Sequence, residues 1–222
     1  MNAPRSPEHY IARQIAYYRA RAPEFDLSHH NPTPELRAAI EDFAARGRVL
    51  ELACGTGIWT EEILRHPIDE LTCIDAAPEM LAIHESRISD PRVHRQQHDL
   101  FSWTSDGERY DAVIFAFWLS HVPPTRFEEF WTSVRDALLP GGRVFFVDDD
   151  SRAEVTEEPI PDAEVPAVLR KLEDGTPHVA IKVFHDPDAL QADLRALGWA
   201  AQVRSAGERF LVGSAAPDDQ PA

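Results

Sequence analysis

Short, nearly continuous apolar runs alternate with stretches of helical periodicity along most of this chain. Ile11, Ile15 and Tyr18 recur at helical spacing and predict a helix over 8–22, ended by Pro23. Residues 25–31 lack periodicity and read as a loop. Thr33-Pro34 offers an N-cap and a first-turn proline for a helix over 34–46, with Gly47 just beyond. Strands are then expected over 48–52, 71–74, 93–97, 111–117 and 143–147, and helices over 57–66 and 78–87. Thr125 and Glu128 read as a capping box for a helix reaching about Leu138. Beyond Val147 the pattern breaks into an acidic, proline-bearing connection over 154–166. A short helix over 165–172, a strand over 179–184, a helix opened by Asp186-Pro187 and two final strands over 201–205 and 209–212 follow. Apolar strands alternating with helices predict an α/β fold, a mostly parallel sheet covered on both faces with an antiparallel strand at one edge.

Composition narrows the partners. The chain has 222 residues, 43% of them hydrophobic, enough for one domain with a sizeable core. Its net charge of −16 argues against nucleic acid as a substrate, because a phosphate backbone needs a basic face. No apolar run has the length of a membrane span, and the N-terminus lacks a signal pattern. With only Cys54 and Cys73 there is no disulfide framework, and a cytoplasmic protein is expected.

The stretch ELACGTGIWT over 51–60 carries the first candidate chemistry. Gly55 and Gly57, just past a strand, permit unusual φ values and close approach of a ligand to the backbone. Asp75 ends the next strand, where a carboxylate meets a ribose hydroxyl pair. Thr60 stands where a dinucleotide fingerprint has its third glycine, and Glu51 would repel a pyrophosphate but attract a cation. These features fit a cofactor with an ammonium, a sulfonium and a ribose but no phosphate.

With these residues in place, the chain resembles the class I S-adenosylmethionine-dependent methyltransferases. ELACGTG resembles their first motif, CIDAAPEML over 73–81 the second, and QHDLF over 97–101 the adenine segment. YDAVIFAF and LLPGGRVFFVD resemble the fourth strand and the turn into the fifth. The resemblance implies a Rossmann-like seven-stranded sheet and S-adenosyl-L-methionine as cofactor. It implies that Glu51, Ala53, Gly55, Thr56 and Gly57 form the loop at the methionine part, and that Asp75 holds the ribose. Asp99 and Leu100 would hold the adenine, Ala76 and Met80 would pack on the nucleoside, and the Ala116 carbonyl would meet the ammonium.

Less generic stretches, including LFSWT over 100–104, FAFWLSHVP over 115–123 and IKVF over 181–184, resemble the phosphonate O-methyltransferases of dehydrophos-type biosynthesis. That resemblance implies an N-terminal lid over 1–33, with Tyr18 closing the cofactor site. A methyltransferase domain over 34–214 and a disordered tail over 215–222 complete the expected organisation. An anionic acceptor is implied, held by Arg170 and Lys182, with Trp118 as a pocket wall. The lid loop over 25–32, which includes His29 and His30, has its own composition, so its contacts do not transfer.

Methyl transfer needs an aligned nucleophile, and a base only when the acceptor is neutral. His121, just past the fourth strand, is the candidate catalytic side chain, as a base or as a hydrogen-bond donor to an anion. Asp148, Asp149 and Asp150 read as a solvated strand end, and no metal is assigned. Three rivals stay open: a neutral hydroxyl or amine acceptor, a dinucleotide-dependent oxidoreductase, and a non-catalytic cofactor-binding protein.

Overall fold

The computed structural model describes residues 6–28, 32–151 and 157–218. Its helices are α1 (Pro7–Arg21), α2 (Phe25–Ser28), α3 (Pro34–Phe43), α4 (Ile58–Ile63), α5 (Pro78–Arg87), α6 (Phe127–Asp136) and α7 (Pro187–Ala196). The first five strands are β1 (Gly47–Leu52), β2 (Ile68–Asp75), β3 (Val93–Gln97), β4 (Tyr110–Ala116) and β5 (Leu138–Asp149). Then come β6 (Glu158–Pro159), β7 (Ala167–Lys171), β8 (Pro177–Ile181), β9 (Trp199–Ala206) and β10 (Phe210–Pro217).

The main sheet has seven strands in the order β3-β2-β1-β4-β5-β10-β9. The strands from β3 to β5 run parallel, and β10 runs antiparallel to both β5 and β9. The order turns back at β1, so the loops after β1 and β4 open side by side at the carboxyl end of the sheet. That is where a ligand crevice forms in an open α/β sheet.

Alternating strand residues feed two cores. Leu50, Leu52, Phe115 and Phe146 meet Phe130 and Trp131 of α6 and Leu190 and Leu194 of α7 on one face. Val49, Cys73, Ile114 and Phe145 meet Leu36, Ile40 and Phe43 of α3 and Trp59 and Ile63 of α4 on the other. Burying each large apolar side chain contributes about 1.5–3 kcal/mol, so both layers are firmly held.

Local signals set several boundaries. Thr33 accepts a hydrogen bond from Leu36 N and opens α3. Asp186 accepts from Asp188 N and Ala189 N, both at 3.0 Å, and opens α7. The third helix stops short of the expected Arg46, because Ala44 turns left-handed at φ 51°. No side chain caps α6: Thr125 lies in a 3-10 turn over Pro124–Arg126, and the helix begins only at Phe127. Residues 25–28 form the short helix α2 rather than loop, whereas His29, His30 and Asn31 lie outside the described residues.

The expected helix over 165–172 is instead the strand β7, paired antiparallel with β6 and β8 in a separate three-stranded sheet. Helix α1 supplies the reason. Its Tyr10 and Ile11 pack against Val165, Ala167, Val179 and Ile181, so the segment buries one face under a helix that lies far away in sequence. The expected tail over 215–222 is likewise corrected at its start, where Ala215–Pro217 pair with β9 as the end of β10. Residues 219–222 lie outside the described residues.

Candidate active site

The loop after β1 is held open by left-handed residues. Ala53, Gly55 and Gly57 have φ of 53°, 55° and 91°. A Cβ built on Gly55 meets nothing within 4 Å, so the loop faces free space there. Asp75, at the end of β2, accepts hydrogen bonds from Gly55 N at 2.9 Å and Ala77 N at 2.8 Å. One carboxylate thus ties the glycine loop to the turn that opens α5, and burial pushes its pKa up. Ala76 is half-buried beside it, and Met80 is buried with Ala77 against Ala22 of the N-terminal segment. Asp99 accepts from Phe101 N at 3.0 Å, next to buried Leu100. Ala116 ends β4, half-buried, ahead of Phe117 with φ 55°. An open glycine cradle beside a fixed carboxylate fits a nucleoside whose ribose hydroxyls need an acceptor.

Glu51 differs from expectation. It does not line the loop. Strand alternation turns it to the Val49 face, where it is 2% exposed. Its Oε2 accepts from Thr60 Oγ1 at 2.5 Å and from Cys73 Sγ at 3.4 Å. Arg95 Nε donates to His84 Nδ1 at 2.8 Å, so the imidazole proton sits on Nε2 and points at Thr60 Oγ1, 2.9 Å away. Burial raises the Glu51 pKa to about 7 and, with Arg95, lowers that of His84 to about 4. Glu51, Cys73 and His84 are close enough to share a metal ion. Arg95 keeps Nε2 protonated, however, and hydrogen bonds account for the cluster.

A raised carboxyl pKa contributes stability that is full below the ordinary value of 4.5 and is lost as pH rises to about 7. Glu51→Gln removes this loss. The variant is expected to exceed the native chain by about 3 kcal/mol at pH 8 and to match it near pH 4.5. Urea unfolding across this range checks it, and a pH-independent difference would sink the idea.

At the other end of the crevice, helix α1 and two loops meet. His121 follows β4, is 4% exposed, and its Nδ1 lies 2.6 Å from the Ile181 carbonyl. The proton therefore belongs on Nδ1, and Nε2 accepts from the Tyr18 hydroxyl at 2.7 Å. Tyr18 in turn accepts from Arg170 Nη1 at 3.2 Å. Gln14, one turn before Tyr18 on α1, bridges the same unit: it donates to His121 O and accepts from Ile181 N. Its spacing to Tyr18 was readable in the sequence, but its partners were not.

Both cations of the expected anion pocket already carry carboxylates. Arg170 Nε and Nη2 donate to Glu157 Oε1 at 2.9 and 2.5 Å. Lys182 lies just past β8, not within a strand, and its side chain is 3% exposed. Its Nζ meets Asp149 Oδ2 at 2.5 Å, Ser120 Oγ at 3.1 Å and Asp148 Oδ1 at 4.0 Å. Burial pulls the Lys182 pKa down, but the two aspartates outweigh it and the net shift is upward. Asp148 and Asp150 are buried, not solvated, because Lys182, the Ser120 amide and Ser205 supply their partners. Trp118 is half-buried against Phe101 at 5.4 Å between ring centres, and its Nε1 meets no acceptor among the described residues.

A doubly covered, mostly parallel sheet with an open glycine cradle and a carboxylate fixed beside it defines the frame of a nucleoside-cofactor enzyme. The methyltransferase-domain family description matches residues 49–142. The chain belongs to the class I S-adenosylmethionine-dependent methyltransferases. It is similar to the solved DhpI-SAH complex, with 40% identity, 97% of this chain and 100% of that chain covered, and a TM-score of 0.81. The DhpI-SAM-HEP complex matches with 39% identity, 96% and 100% coverage and a TM-score of 0.80. The glycopeptide N-methyltransferase MtfA complexed with sinefungin shares the fold, at 18% identity, 99% and 100% coverage and a TM-score of 0.64. None of the curated proteins compared with the chain matches it significantly. Among the described residues, no helix is long and apolar enough to cross a membrane.

Proposed function

We propose that this enzyme is an O-methyltransferase for a small anionic acceptor, a phosphonate or a carboxylate, whose oxyanion meets the outer edge of Arg170. The observation that carries this is the hydrogen-bonded series from Arg170 through Tyr18 to His121, assembled from three separate elements at the cofactor end of the sheet. A guanidinium has five N–H groups. Among the described residues, Glu157 and Tyr18 account for three of them, at Nε, Nη2 and Nη1, which leaves two N–H groups for an acid group. The relative solved with SAM and HEP together supports a small molecule beside the cofactor.

Bound S-adenosylmethionine supplies the electrophilic methyl group. Gly55, Gly57, Ala53 and Thr56 shape the cradle for its methionine part. Asp75 receives the ribose, Asp99, Leu100, Ala76 and Met80 surround the base, and the Ala116 carbonyl takes the ammonium. An anionic acceptor needs placement rather than deprotonation. His121 then acts through Tyr18, holding its hydroxyl in one direction. Burial raises the Tyr18 pKa and keeps the phenol protonated. Trp118 walls the acceptor side. Lys182 supports the site from beneath, where its ammonium is spent on Asp149.

Initial rates against phosphonates, carboxylates and phenols test this reading. Arg170→Ala is expected to raise KM for acidic acceptors by about tenfold or more and to leave cofactor affinity unchanged. If the native enzyme methylates only neutral acceptors, the reading fails. A second reading has one observation in its favour: His121 Nε2 is a proton acceptor already joined to a hydroxyl. It predicts a neutral hydroxyl or amine acceptor and loss of turnover in His121→Asn with cofactor binding intact.

A further inference from the structure

Asp26 lies in the short helix α2, outside every stretch that carries cofactor chemistry. Its Oδ1 accepts from the Thr56 hydroxyl at 2.7 Å. Its Oδ2 pairs with Arg87 at the end of α5, and Arg87 Nη1 lies 3.4 Å from the same Thr56 oxygen. Thr56 stands between the two left-handed glycines of the cofactor loop and is 1% exposed. The N-terminal segment is fastened elsewhere too: Arg19 to Glu79, Glu24 to Glu173 N, and Tyr18 to His121. Of these contacts, the one at Asp26 is made to the glycine loop itself.

We propose that Asp26 is a positioning residue: it straps the N-terminal segment to the cofactor loop and sets the rate at which the demethylated cofactor leaves. The strap closes over a loop whose two glycines leave its backbone free to shift. Thr56 is the buried end of the strap, and its hydroxyl donates to a charged acceptor, a stronger bond than one between neutral groups. The Asp26–Arg87 pair is the outer end, with side chains 38% and 24% exposed, so salt screens it. A contact that must break before the cofactor leaves acts on dissociation more than on association. The strap therefore acts on residence time, and its strength follows ionic strength.

The test is stopped-flow dissociation of S-adenosylhomocysteine from the full chain, which does not depend on knowing the acceptor. Asp26→Asn is expected to speed dissociation by about tenfold, and Thr56→Val to shift it in the same direction. The native rate should rise several-fold between about 20 and about 500 mM NaCl, and the rate of Asp26→Asn should stay nearly flat. Arg87→Met should also flatten the salt dependence. A purely structural role would lower the melting temperature of Asp26→Asn but leave the salt dependence of release native-like. Equal release rates and equal salt slopes in the native chain and Asp26→Asn would overturn the proposal.

Discussion

Asp75→Ala is expected to weaken S-adenosylhomocysteine binding by about 100-fold or more, read by calorimetric titration. The carboxylate is fixed from both sides, by Gly55 N and Ala77 N, so in the proposed role it would meet a ribose without rearranging. Each hydrogen bond to a charged group contributes about 1.5–3 kcal/mol, and a tenfold change in affinity is about 1.4 kcal/mol. Two lost hydroxyl contacts therefore exceed two decades, and the slackened loop adds to the loss. Asp75→Asn keeps one acceptor and should fall between the two. A loss below about tenfold for Asp75→Ala would mean that the residue serves the loop alone.

Lys182→Ala is expected to destabilise the fold by about 3–5 kcal/mol, read by urea unfolding at neutral pH. Removing the ammonium leaves Asp149 without its 2.5 Å partner and Asp148, at 0% exposure, without a nearby cation. The upward shift of the Lys182 pKa means that this stability is full throughout the neutral range and is lost only as pH rises beyond the usual lysine value of 10.5. Asp149→Asn in the same chain should restore part of the loss, because it removes one of the stranded charges. A loss below about 1 kcal/mol would return Lys182 to the role of a free pocket cation. The prediction also explains why alanine at this position is a poor probe of acceptor binding.

Much of the frame was legible along the chain. The apolar runs at Val49-Leu50, Leu71–Ile74 and Ala112–Phe115 became parallel strands because a run buried on both faces has few other solutions. Gly55, Gly57 and Asp75 came together as expected, since a glycine loop and the next strand end are neighbours whenever the two strands pair. Helix α5 and strand β3 kept their expected bounds, the helix because Pro78 fixes its first turn. The misreadings have a common source. Val165–Leu172 carries a pattern that suits a helix, yet α1 and β8 make it a strand. Glu51 was assigned by its place in a motif, but which way it points depends on strand alternation and on Thr60 and Cys73.

The sequence by itself determined the class of sheet, the glycine loop after β1 and the carboxylate that ends β2 beside it, because these rest on periodicity and on residues close along the chain. Only the tertiary structure decided what each charge does. Lys182 and the aspartates at the end of β5 become a buried ion pair, His121 is turned by a carbonyl 60 residues away, and Asp26 reaches the loop across 30 residues. Charges act through space, over a few ångströms and at a dielectric set by burial, and neither quantity is written in the order of residues.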